Sequence, residues 1–89
     1  MSIEFQWDKE KARKNLKKHG VTFEEAATAF YDILSITIAD GEHSEGEGRF
    51  LLLGLSNQAR LLVVSHTDRE TAIRVISARL ATSKERKYL

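Results

Sequence analysis

Three apolar-rich runs close together constrain this chain most: Arg49 to Leu55, Arg60 to Thr67 and Ala72 to Arg79, separated only by Ser56-Asn57-Gln58-Ala59 and Asp68-Arg69-Glu70-Thr71. Connections this short join antiparallel neighbours, because a parallel crossover takes a dozen residues or more. The middle run is apolar on both alternating faces at its centre (Leu61 and Val63, Leu62 and Val64), as a central strand covered on both sides requires. The predicted core is therefore a largely antiparallel sheet.

The preceding residues supply its helices. Ile3, Phe5 and Trp7 alternate with polar residues as a half-buried strand does. Asp8 can cap a helix over about Lys9 to Lys18, which His19-Gly20 ends with a left-handed stop. That helix offers the core only Ala12 and Leu16. Thr22 with Glu25 reads as a capping box, followed by Phe23, Ala26, Ala27, Phe30 and Tyr31 at helical spacing. Leu34, Ile36 and Ile38 alternate as another strand, which stops at Asp40-Gly41. Thr82 with Glu85 forms a second capping box and opens a short final helix running to Leu89. The order β-α-α-β-β-β-β-α describes one α+β domain over residues 1–89. With 89 residues there is room for one core, of a size that gains from a partner.

Composition removes several functions. The absence of cysteine excludes a disulfide scaffold, thiolate-bound zinc and a thiol nucleophile. No apolar run approaches membrane-spanning length, and Met1 to Asp8 lacks a basic start and an apolar stretch, so a cytoplasmic protein with no membrane association is expected. The net charge of +1 hides a segregation: residues 1–20 carry +3, residues 21–48 carry −7 and residues 49–89 carry +5. Separated charge of this kind can hold a basic binding face on a near-neutral protein, or the ends can neutralise the middle within the fold.

Among titratable groups, His43 stands in an acidic loop, Asp40 to Gly48, where neighbouring carboxylates favour its charged form; it reads equally as a ligand-facing or a solvated residue. His19 suits a helix C-terminus, and His66 shares a strand face with Leu62 and Val64, as a core-edge histidine would. The acidic loop lacks the glycine and glutamate spacing of a calcium loop and the Gly-Lys-Ser/Thr ending of a phosphate loop, so neither a metal nor another cofactor is expected. Lys11, Lys14 and Lys18 share one helix face that is either a solvated surface or a track for a phosphate backbone. Arg74 and Arg79 differ in parity, so a regular strand sends them to opposite faces. Arg79 precedes the positive end of the last helix, a place for an anion, or else pairs with the acidic loop or second helix.

Longer motifs add a resemblance. Phe5-x-Trp7-Asp8-x-x-Lys11-Ala12-x-x-Asn15-x-x-Lys18-His19-Gly20-Val21-x-Phe23-Glu24-Glu25-Ala26, then Glu42-His43-Ser44-Glu45-Gly46-Glu47-x-Arg49, then Arg60 to Val64 with Thr67, and Ile76-Ser77-Ala78-Arg79-x-Ala81-Thr82-x-x-Glu85-Arg86 together resemble the BrnT family of ribonuclease toxins from type II toxin–antitoxin systems. Leu80 departs from it, standing where relatives often carry a basic residue. The resemblance implies a RelE-like α+β fold, RNA cleavage that arrests growth, a BrnA-type antitoxin as partner, and operator DNA bound indirectly through that antitoxin. For a metal-independent transesterification the candidate roles are then His43 as proton carrier, Arg49 and Arg79 as charge stabilisers, and Lys11, Lys14, Lys18 and Arg86 as RNA-binding groups; RelE-like enzymes often do without a histidine catalyst, so arginine and lysine could carry the whole burden. The competing class is a non-catalytic nucleic-acid- or protein-binding module acting as a corepressor; a metal-dependent nuclease is a third reading.

Overall fold

The structure, a computed structural model, describes residues 3–41 and 48–88. Five strands, β1 (Glu4–Gln6), β2 (Ile36–Ala39), β3 (Arg49–Leu55), β4 (Leu61–Arg69) and β5 (Ala72–Leu80), form one sheet in the order β1-β5-β4-β3-β2. All pairings are antiparallel except β1 with β5. The helices are α1 (Lys9–His19), α2 (Phe23–Thr28) and α3 (Ser83–Arg86). This is the α+β arrangement expected, with the doubly apolar run at the centre of the sheet as β4.

Local signals fix the ends of α1. Asp8 accepts from the backbone N–H of Glu10 (2.8 Å) and Lys11 (3.0 Å), and Gly20 closes the helix at φ 70° with its N–H on the Leu16 carbonyl. The stripe on α1 differs from expectation. Leu16 is 49% exposed, whereas Asn15 is 7% exposed and does the docking. Its Nδ2 donates to the carbonyls of Val21 (2.9 Å) and Ala78 (2.8 Å), and its Oδ1 accepts from the Ala78 N–H (3.1 Å). β1 pairs with β5 only as far as Arg74, so among the described residues the outer edge of β5 at Ala78 has no strand beside it. Asn15 satisfies that edge in place of a strand.

The capping box at α2 is only half formed. Thr22 accepts from the Glu25 N–H (3.0 Å), but the Glu25 side chain turns inward and is 3% exposed. It accepts from Ser56 Oγ (2.7 Å), from Arg60 Nε (2.9 Å) and from Arg60 Nη2, which also reaches the Gly20 carbonyl (3.1 Å). A buried carboxylate is tolerable here because a guanidinium and a hydroxyl replace the water it loses. The helix itself stops at Thr28 and tightens into a 3₁₀ turn, Ala29–Tyr31, leaving Tyr31 exposed. The second strand starts later than its alternation suggests, at Ile36, and Leu34 is exposed. The last helix ends at Arg86, before the predicted end.

α1, α2 and the 3₁₀ turn cover one face of the sheet. Phe23, Leu62, Val64 and Val75 are completely or almost completely buried there. His66 joins this layer at 3% exposure, its ring edge-on to Phe30 (4.7 Å) and stacked on Phe50 (5.9 Å), so it is the core histidine its strand position implied. Burial pushes its pKa down, favouring the neutral ring.

Candidate functional site

Among the described residues, the opposite sheet face carries no helix except the short α3. Ile36, Ile38, Leu51, Leu53 and Val63 floor a groove there, with Glu85 and Tyr88 at its margin. Strand register places Arg49, Leu51 and Leu53 of β3 on this face, and with them their partners on β4, Thr67, Ser65 and Val63. Those in turn oppose Arg74, Ser77 and Arg79 of β5.

That last set overturns the parity argument. Between Ser65 and His66 the β4–β5 register shifts: Ser65 opposes Ser77, but His66 opposes Val75, and Ile76 is passed over. The extra residue is a β-bulge, and it reverses the alternation within β5. Val75 and Ala78 therefore both point into the helical core, although three positions apart, and Arg74 and Arg79 both belong to the open face. Arg49, Thr67 and Arg74 form one cross-strand row. Leu53, Val63 and Arg79 form another, roughly 13 Å away along the strands at the usual rise per residue.

Arg79 is held from α3. Its Nη1 and Nη2 donate to Glu85 Oε1 (2.7 Å) and Oε2 (2.8 Å), a bidentate pair at partly exposed side chains. The Thr82 N–H donates to the same Oε1 (2.8 Å), and the Glu85 N–H donates to Thr82 Oγ1 (3.2 Å), so this capping box is complete. The Arg79 hydrogen bonds are the main cause that holds the Glu85 carboxyl at a pKa of about 2. Among the described residues, the anion beside Arg79 at the helix start is thus the carboxylate of Glu85, and none comes from the second helix.

The other expected site residues are distributed as follows. Arg49 is half-buried at the start of β3, next to the Asp40 N–H, which donates to its carbonyl (2.8 Å). Lys11, Lys14 and Lys18 are exposed on α1, in the helical layer beside the outer edge of β5 and not on the open face. Arg86 is exposed on α3. His43, with the rest of the acidic segment 42–47, lies outside the described residues. Among the described residues no three imidazole or carboxylate groups gather as a metal site would need.

Two residues of this face are not evident from the sequence. Arg74 stands on the face opposite to the one its parity predicts, because a bulge leaves no local signal. Thr67 is 4% exposed, and its hydroxyl has no hydrogen-bond partner among the described residues, an arrangement that costs about 1–3 kcal/mol when nothing compensates it. Its position between two arginines depends on register alone.

The family model described as the ribonuclease toxin BrnT of type II toxin–antitoxin systems matches residues 7–85. Among solved structures, the crystal structure of the Brucella abortus ribonuclease toxin BrnT superposes with a TM-score of 0.71 at 24% identity, covering 92% of this chain and 100% of that one. No curated protein sequence matches significantly.

Proposed function

Because the chain belongs to the BrnT family of ribonuclease toxins of type II toxin–antitoxin systems, we propose that it is an endoribonuclease that cleaves cellular RNA, arrests growth and is neutralised by a BrnA-type antitoxin. The family match over residues 7–85 carries this reading. A toxin of a type II system has an antitoxin as its partner; a BrnA-type partner would also bring the pair to operator DNA. The chain would act in the cytoplasm. No helix among the described residues is long and apolar enough to cross a membrane.

The open sheet face supports a site for transesterification. The 2′-oxygen attacks the adjacent phosphorus and gives its proton to a base. The bond from phosphorus to the 5′-oxygen breaks, that oxygen takes a proton, and a 2′,3′-cyclic phosphate remains. Charge accumulates on the phosphorane oxygens, so fixed cations lower the barrier. Arg79 is suited to stabilise that charge, since its bond to Glu85 fixes the guanidinium plane and the apolar floor beside it limits screening by water. Arg49 shares the face and would hold the neighbouring backbone. His43, six positions before Arg49 in the chain, is the proposed proton carrier. Lys11, Lys14 and Lys18, beside the outer edge of β5, and Arg86 on α3 would retain the strand electrostatically. No metal is invoked, since the cations are side chains.

Expression without antitoxin, followed by growth and by RNA integrity on gels, tests the function. Growth arrest with fragmented RNA is expected; normal growth with intact RNA would remove the toxin reading. Purified protein should cleave RNA in EDTA, and loss of cleavage there would restore a metal-dependent mechanism. Binding of RNA or operator DNA without cleavage under any of these conditions would favour the corepressor. Arg79→Ala should lower the cleavage rate about 10²-fold or more, the scale of a lost transition-state donor, with the fold checked by circular dichroism. An unchanged rate in His43→Ala would eliminate His43 as acid or base.

A further inference from the structure

We propose that Arg49, Thr67 and Arg74 form a second anion subsite on the open face, which receives a phosphodiester of the RNA strand away from Arg79. The proposal rests on the reading of the chain as an RNA-cleaving enzyme and deepens it. Three observations converge. The register makes the three residues consecutive across β3, β4 and β5, so an arginine stands on either side of the threonine in one row. Neighbouring strands are about 4.8 Å apart, which puts the two arginine backbones roughly 10 Å from each other, within reach of one phosphate by two long side chains. The Thr67 hydroxyl is buried and has no partner among the described residues, and a phosphodiester oxygen is an acceptor for it.

The bulge at Ile76 supplies the third observation. Without it Arg74 would face the helical core; with it the residue joins the arginine-bearing face, and bulges recur where a strand must re-aim a side chain. Gln6 of β1 continues the same row beyond Arg74. Arg74 lies within electrostatic range of Asp8, whose carboxylate already accepts from two α1 backbone N–H groups. Arg79 stands roughly 13 Å along the strands, so one phosphate cannot engage both poles, whereas a single strand lying along the sheet can.

The test measures binding of a fluorescein-labelled 2′-O-methyl RNA oligonucleotide, which cannot undergo transesterification, by anisotropy over a range of salt concentrations. Thr67→Val keeps the shape and removes only the hydroxyl. It should leave the thermal midpoint unchanged or raised and weaken binding about 5- to 10-fold. Arg74→Ala should weaken binding about tenfold and reduce the slope of log affinity against log salt by about one phosphate contact. Oligonucleotide affinity within twofold of the parent in both variants would overturn the subsite, even if the parent cleaves ordinary RNA normally, and the function would then stand without it. A parent protein that neither binds the oligonucleotide nor cleaves RNA would remove both. Inorganic phosphate provides a separate arm: if it binds in a Thr67- and Arg74-dependent manner while oligonucleotide affinity is unmoved, the site takes a free anion and the RNA proposal fails.

Discussion

Replacing Arg60 with alanine should do more damage than its place at the end of a surface turn suggests. The change removes both guanidinium bonds to Glu25 and the bond to the Gly20 carbonyl, leaving a carboxylate that is 3% exposed with Ser56 Oγ as its remaining partner. Breaking a buried pair by deleting one partner costs about 3–5 kcal/mol. The Arg60 side chain is 34% exposed, so water can enter where it stood, and about 2–4 kcal/mol is the better figure here. In a domain of this size that corresponds to a fall in Tm of roughly 10–25 °C. The pH dependence provides a sharper check. In the parent, the Arg60 hydrogen bonds hold the Glu25 carboxyl below its ordinary 4.5, so its stabilisation is present above that value and fades as pH falls. In the variant, burial remains without its counter-charge and pushes the carboxyl above 4.5. Acidification from pH 7 towards 5 then protonates it in the folded state and restores stability. Urea melts followed by circular dichroism at pH 7 and pH 5 should show the gap between variant and parent narrowing, and Glu25→Gln in the variant background should recover stability at pH 7. A loss below about 0.5 kcal/mol at pH 7, or a gap that widens on acidification, would refute the account of Glu25 as a buried, guanidinium-dependent charge.

Three further outcomes follow from the fold. Asn15→Leu should destabilise by about 2–4 kcal/mol despite its apolar gain, because the Ala78 N–H and two carbonyls lose their partner; chemical denaturation measures it. Gly54→Ala should cost about 1–3 kcal/mol by the same assay, since a Cβ there would come within 2.8 Å of the Ala29 carbonyl oxygen, where the 3₁₀ turn presses onto β3. Glu85 has a folded pKa of about 2 against 4.5 unfolded, so its stabilisation is present above pH 4.5 and lost as pH falls towards 2; Glu85→Gln should flatten that part of the acid-unfolding curve.

Features encoded within one turn of chain are legible in the sequence. Asp8 three residues before Lys11, Gly20 after His19, and Thr82 three residues before Glu85 each announce a helix end because donor and acceptor are sequence neighbours. The central position of β4 is also legible, since burial on both faces leaves its mark on every residue. Asn15, Glu25 and Arg74 depart from expectation for one common reason: their partners are remote. Asn15 bonds to a residue 63 positions away and Glu25 to one 35 positions away, and propensity is blind to both. A surface-looking asparagine and a routine helix-start glutamate become interior groups. Arg74 changes faces because register is a property of two strands, and one passed-over residue in β5 has no signature of its own. For the site, Arg49 and Arg79 are singled out by the family resemblance and stand on one open face, while the tie between Arg79 and Glu85 depends on the turn from β5 into α3.

The contact between Asn15 and Ala78 also sets an order of events on the ribosome. The first strand and first helix both dock on β5, through residues 72–74 and 78, so the amino-terminal quarter, although it also touches α2 and the 3₁₀ turn, completes its docking only after Ala78, 63 positions beyond Asn15, has emerged. At typical synthesis rates of about 5–20 residues per second, those sixty-odd residues mean a wait of several seconds. A nascent chain interrupted before residue 72 would lack the strand that carries Arg74 and Arg79 and the edge that seats α1. Synthesis of β5 thus gates both the docking of α1 and the assembly of the arginine face.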